Sequence, residues 1–189
     1  MNYSFYLFVF LCNTQFITSW RSFTFRFSAI QCTKRSQLIS FINCSIPQQT
    51  GPRDGLSLSL KFSTAIVNPY LDLIVTATRS SQSEFVIINI TQFDGCKFLQ
   101  NTNRFNLLKI LRNEFEKFAK MPNKCPVVKG TEIHVKNMSL DPERFPPYVP
   151  QTGFKTEVRL WEKYTPLFNL NVIGSVDMKK RIKKQQSKK

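Results

Sequence analysis

One histidine, five cysteines and, beyond the first nineteen residues, three Asn-x-Ser/Thr triplets are the residues of this chain whose types and spacing bear on chemistry. His134 stands in the alternating segment Glu132-Ile133-His134-Val135-Lys136, with no recognisable catalytic or metal-binding motif around it. It therefore reads as a half-exposed strand histidine rather than a poised general base. The Gly-x-Ser-x-Gly elbow, the phosphate loop, the dinucleotide fingerprint and His-Glu-x-x-His are absent from the sequence. The 12 acidic residues are spread along the chain. No catalytic residue is assigned, no enzyme activity is expected, and no cofactor is implied.

The cysteines carry more information. Cys12 closes an unbroken apolar run, Phe5 to Cys12, within a segment that has no charge before Arg21. Such a run matches the apolar core of a secretion signal and is too short for a membrane span, which needs about 20 residues. Residues 1–19 are expected to be a signal peptide, the protein to be secreted and extracellular, and no transmembrane segment is expected. The cut leaves Cys32, Cys44, Cys96 and Cys125, an even set that reads as two disulfides in an oxidising compartment. Zinc ligands usually come in close pairs, and no Cys-x-x-Cys occurs, so no metal site is assigned. Four cysteines allow three pairings, among which sequence does not choose; the most local closures join Cys32 to Cys44 and Cys96 to Cys125. Asn43, Asn89 and Asn137 begin the three glycosylation triplets, Asn89 being the best placed because Thr91 is its third residue.

Charge alone points elsewhere. With 27 Lys and Arg against 12 Asp and Glu in 189 residues, the formal charge is +15, a balance that suggests nucleic acid or an anionic membrane. Seven of those cations, from Lys179 to Lys189, fall in the last eleven residues, with no acid among them. Residues 178–189 are expected to form a basic disordered tail. It offers Lys179-Lys180-Arg181 as a basic processing site or a contact for anionic head groups. Nucleic acid is not the expected partner, because a nuclear address in the tail conflicts with a secretion signal at the start. Phe is abundant, at 18 residues, and only six Gly are present.

These residues must be positioned by strands. Phe23, Phe25 and Phe27 alternate with polar residues, as do Leu56, Leu58, Leu60 and Phe62 after the turn signal at residues 51–55. Leu71, Leu73 and Val75 run to a hairpin tip at Ser80-Ser81, and residues 85–90 return; a glycan on Asn89 would turn Val86, Ile88 and Ile90 inward. Phe105, Leu108, Leu111, Phe115 and Phe118 recur at steps of three and four, which predicts an amphipathic helix ended by Pro122. Strands follow at 132–136, 154–160 and from 168 to about 176, around a proline-rich loop at 141–150. The sum is a mainly β, antiparallel sandwich or cup with one amphipathic helix.

The order Asp94-x-Cys96-Lys97-Phe98, a helix, Cys125-Pro126, then Pro150 and Gly153 before a strand with Trp161, and an upstream Cys32 and Cys44, resembles a large insect family of small secreted proteins of unassigned function. That family is related to the chemosensory CheB proteins and is similar in fold to the ML lipid-recognition and ganglioside-activator proteins. The resemblance runs from about Phe23 to Ser175. It departs at Val127, where the family has an aromatic residue, and in the lysine-rich tail. The resemblance implies an immunoglobulin-like, ML-type domain at 20–177 that carries a lipid, cuticular hydrocarbon or pheromone in a chemosensory or reproductive setting. The apolar residues that would wall such a ligand are Phe25, Phe27, Leu58, Leu60, Leu73, Val86, Ile88, Leu108, Phe115, Val158 and Leu160. Two alternatives remain: a secreted interaction protein with a closed core that acts on a cell-surface receptor, and a basic intracellular nucleic-acid binder.

Overall fold

A computed structural model describes residues 23–47, 55–78, 83–102, 104–146 and 149–178. The expected signal peptide at 1–19 with Cys12, most of the turn signal at 51–55, the expected tip at Ser80-Ser81 and the lysines from 179 onward lie outside the described residues. Two antiparallel sheets carry the fold. The larger comprises β1 (Phe23–Lys34), β4 (Pro69–Thr78), β5 (Glu84–Asp94), β8 (Thr152–Glu162) and β9 (Thr165–Met178), in the order β1-β9-β8-β4-β5. The smaller comprises β2 (Ile39–Ser45), β3 (Leu56–Phe62), β6 (Ala119–Lys120) and β7 (Glu132–Met138), in the order β2-β3-β7-β6. Two helices, α1 (Gly95–Leu99) and α2 (Asn106–Phe118), join β5 to β6.

The alternation read from the sequence decides which side of each strand is inside. Leu56, Leu58, Leu60 and Phe62 are all buried, while Ser57, Ser59 and Lys61 face away. Opposite them, Leu160, Phe168, Leu170 and Val172 of the larger sheet complete one continuous core.

Bulges correct that alternation where the fold requires it. In β1, Phe27 pairs with Gly174 but Ala29 with Ile173, so Ser28 is an extra residue. The insertion reverses the parity of everything after it. Phe23, Phe25 and Phe27 point inward before the bulge, and Ile30 and Cys32 do so after it, opposite Val172 and Leu170. Cys32 thereby reaches the inner face, where Cys44 lies opposite Leu58, and the two are bonded. A second bulge at Ile87 has the reverse effect: Val75 pairs with Ile88, yet Thr76 pairs with Val86. Val86, expected inside, is consequently on the outer face and 57% exposed.

Further differences from the sequence reading have local causes. The helix ends at Phe118 rather than Pro122, because Ala119 and Lys120 pair with Val135 and His134 as β6. Phe105, expected in the apolar stripe, holds the N-cap position and is exposed. The last strand runs through Met178, which pairs with Phe23, so the domain extends one residue into the segment assigned to the tail. Strand β2 and helix α1 were not expected, and the loop at 141–150 contains a 3₁₀ turn at Pro142–Arg144.

At one end of the sandwich the core is aromatic and closed. Phe25 packs on Phe145 with ring centroids 4.7 Å apart, and Phe154 meets both Phe25 and Phe27 edge-on. Gly174 is required there: a Cβ would stand 2.4 Å from both the Arg26 carbonyl oxygen and the Phe154 ring. Gly174→Ala is expected to lower stability by about 1–3 kcal/mol, the usual cost of overpacking, as a fall in the urea midpoint with unchanged slope.

Candidate ligand cavity

The other end is not filled. An apolar cavity of about 190 Å³ lies between the sheets beneath the two helices. Leu58, Leu60, Phe62, Ile133 and Val135 form its floor from the smaller sheet. Leu71, Leu73, Val158, Leu160, Phe168 and Leu170 face them from the larger one, with Ile90 and Phe93 of β5 at the side. Phe98, Leu99, Leu108, Leu111 and Phe115 roof it from α1 and α2.

Each residue of the segment Asp94 to Phe98 has a task in building that roof. The Asp94 carboxylate accepts the amide N–H of Cys96 at 2.9 Å and of Lys97 at 3.2 Å, which caps α1. Gly95 lets the helix approach the Pro69 backbone, where a Cβ would come within 2.9 Å of its oxygen. Cys96 is bonded to Cys125, and Phe98 points into the cavity. The two disulfides hold opposite flanks: Cys32–Cys44 joins edge strands β1 and β2, and Cys96–Cys125 ties the helix after β5 to the loop after β6.

Helix α2 is fixed over the gap by two buried charges. Arg112, 2% exposed, donates from Nη2 to the Leu99 carbonyl at 3.2 Å and so links the helices. Its Nη1 is 2.7 Å from a Glu116 oxygen, near enough for an ion pair although the N–H is not aligned as a hydrogen bond. Glu114, 1% exposed, accepts from Lys117 at 2.6 Å and faces Arg144 at 3.7 Å, which fastens the 3₁₀ turn to the helix. Periodicity gave no sign of these two, since both read as polar residues of a solvated face.

Of the eleven wall residues expected from sequence, Leu58, Leu60, Leu73, Leu108, Phe115, Val158 and Leu160 border the cavity together. Phe25 and Phe27 belong instead to the closed aromatic end, because β1 is at the far edge of the sheet. Ile88 is half-buried on the inner face but does not reach the cavity, and Val86 is turned out by its bulge. Phe93, Phe98, Leu111, Phe168 and Leu170 are wall residues that the sequence reading did not nominate. Asn43, Asn89 and Asn137 are all exposed.

His134 lies apart from the cavity, on the solvated face of the smaller sheet. Its Nδ1 is 3.1 Å from Ser59 Oγ and its Nε2 is 3.1 Å from Glu132, whose other oxygen meets Lys61 Nζ at 2.6 Å. Ser59 and His134 are register partners across β3 and β7, so this polar row is a cross-strand ladder on an open surface.

Residues 72–156 match the model of a family described as protein of unknown function, DUF1091. The match runs from β4 through the helical roof to the middle of β8 and includes Cys96 and Cys125 but not Cys32 and Cys44. No curated protein matches the chain.

The Lys61 ammonium, with His134 assisting, holds the Glu132 carboxyl below the usual glutamate range. Because the folded value is the lower one, the pair's contribution is present above the ordinary glutamate pKa and is lost as pH falls through the folded value. Carboxyl NMR titration of Lys61→Met is expected to show Glu132 titrating at higher pH than in the parent protein.

Proposed function

We propose that this is a secreted, non-enzymatic binding protein that holds a small hydrophobic ligand in the cavity between its sheets. The observation that carries the reading is the apolar void beneath α1 and α2. A void of this kind gives water no polar partners, and an engineered cavity of about 150 Å³ stays dry and takes up benzene. At about 190 Å³ it suits a ring or chain segment of comparable size, below the roughly 300–1,000 Å³ of most drug-sized sites. Burying about seven methylenes gains roughly 5–6 kcal/mol before ordering costs, which favours weak, reversible carriage of a volatile or of one end of a longer chain.

Two disulfides fit an oxidising compartment, and no described helix is long and apolar enough to cross a membrane. The resemblance to the CheB-related insect family and to ML-type domains supports a lipid, cuticular hydrocarbon or pheromone as the ligand and a chemosensory or reproductive setting. The competing reading, a surface-acting interaction protein, draws on Phe85, Val86 and Ile87, which are exposed on edge strand β5.

Displacement of a fluorescent fatty-acid probe from delipidated protein tests the proposal. Saturable uptake is expected, and Leu111→Trp, which fills the roof from a half-buried position, should weaken it at least tenfold while leaving the thermal midpoint within a few degrees. Uptake that is unchanged by Leu111→Trp, or no uptake by the folded parent protein, contradicts the cavity as the site.

A further inference from the structure

We infer that the outer face of the larger sheet carries a second binding site, beside the β8–β9 turn, that takes a quaternary ammonium group. The site is a depression of about 520 Å³ in which Tyr70, Trp161 and Tyr164 surround Asp72. Tyr70 and Trp161 are register partners on β4 and β8, so their rings stand side by side on one face. Tyr164 is 96% exposed in the turn. The turn itself is fastened: the Lys163 amide donates to the Asn68 carbonyl at 3.2 Å, and the Asn68 amide donates to the Glu162 carboxylate at 3.1 Å. The backbone that carries Tyr164 is thereby held beside Tyr70 and Trp161 in advance of any ligand.

Asp72 supplies the charge. It is 8% exposed, and its two oxygens accept the Gln92 amide N–H at 2.8 Å and the Trp161 indole N–H at 2.9 Å. Both donors are neutral. Its register partner Arg159 is engaged elsewhere, with Glu157 at 2.8 Å, and among the described residues no cation lies within ion-pair distance of Asp72. A buried carboxylate held only by neutral donors leaves its charge uncompensated. Placed among aromatic rings, it makes the depression attractive to a cation that needs no hydrogen-bond acceptors of its own. A quaternary ammonium has that character: it is weakly hydrated, has no N–H to donate, and is drawn to ring faces. Lys163, at the rim of the same depression, is a competing cation. The inference does not depend on the interior cavity, from which the outer face is separated by the sheet.

The test is an NMR titration of the Trp161 indole N–H, assigned with Trp161→Phe, by choline at constant ionic strength. The neutral isostere 3,3-dimethylbutan-1-ol serves as control. A saturable shift with choline and none with the alcohol is expected. Tyr164→Ala, at a fully exposed position that folding does not use, should weaken choline about fivefold or more, the loss of roughly one ring contact. Asp72→Asn should weaken it further, and Lys163→Gln should strengthen it. Equal shifts from choline and the alcohol, or a Tyr164→Ala protein that titrates like the parent, would overturn the inference. Retention on phosphatidylcholine but not phosphatidylethanolamine vesicles, released by free choline, identifies a lipid head group as the source of the ammonium. Choline binding without vesicle retention identifies a free ligand.

Discussion

Two apolar sheet faces that must cover one another, but are pinned at opposite flanks, govern this molecule. On one flank Cys32–Cys44 joins β1 to β2, and there the aromatic cluster around Phe25 fills the space. On the other, β5 and β6 do not meet, and the gap is spanned by α1 and α2, held by Cys96–Cys125 and by Arg112. The unfilled volume lies beneath these helices, bordered by Phe98, Leu108, Leu111 and Phe115. Closure of loops of the lengths these bonds span is worth about 3–4 kcal/mol each.

The same closure explains the chemistry around the roof. A helix that sits over apolar surface on one side and a proline-rich turn on the other has no solvated face at Arg112 and Glu114. Both charges are tolerated because each has a partner within reach: the Leu99 carbonyl and Glu116 for the first, Lys117 and Arg144 for the second. The outer surface is organised differently. There the smaller sheet presents a polar ladder of Ser59, His134, Glu132 and Lys61, and the larger sheet, on the opposite side of the molecule, presents the aromatic depression at Asp72.

Much of this was legible in the residues, and what was not has identifiable causes. The alternation from Leu56 to Phe62 names a half-buried strand unambiguously, and the stripe Leu108, Leu111, Phe115 names the roof helix. Strand β2 escaped notice because its own irregularity after Ile39 breaks the period of two, putting Phe41 outside and Ile42 and Cys44 inside. Val86 was misplaced for the same reason: a bulge is fixed by pairing with the neighbouring strand, and one strand's residues do not reveal it. Of the seven expected wall residues that border the cavity, Leu58, Leu60, Leu73, Val158 and Leu160 follow from strand parity, and Leu108 and Phe115 from helical spacing. Phe98 is not legible because tertiary contacts of a short helix set its place, and Phe168 and Leu170 alternate as expected but reach the cavity only through their pairing with Leu160 and Val158 of β8.

The proposed function rests on whether the void is occupied in the native protein. Native mass spectrometry of the full chain expressed in eukaryotic cells, with both disulfides intact, measures this directly. A mass increment from a small hydrophobic molecule is expected, lost on solvent extraction and regained on back-addition. A single unliganded mass before extraction, with nothing regained when apolar compounds are added, would contradict it.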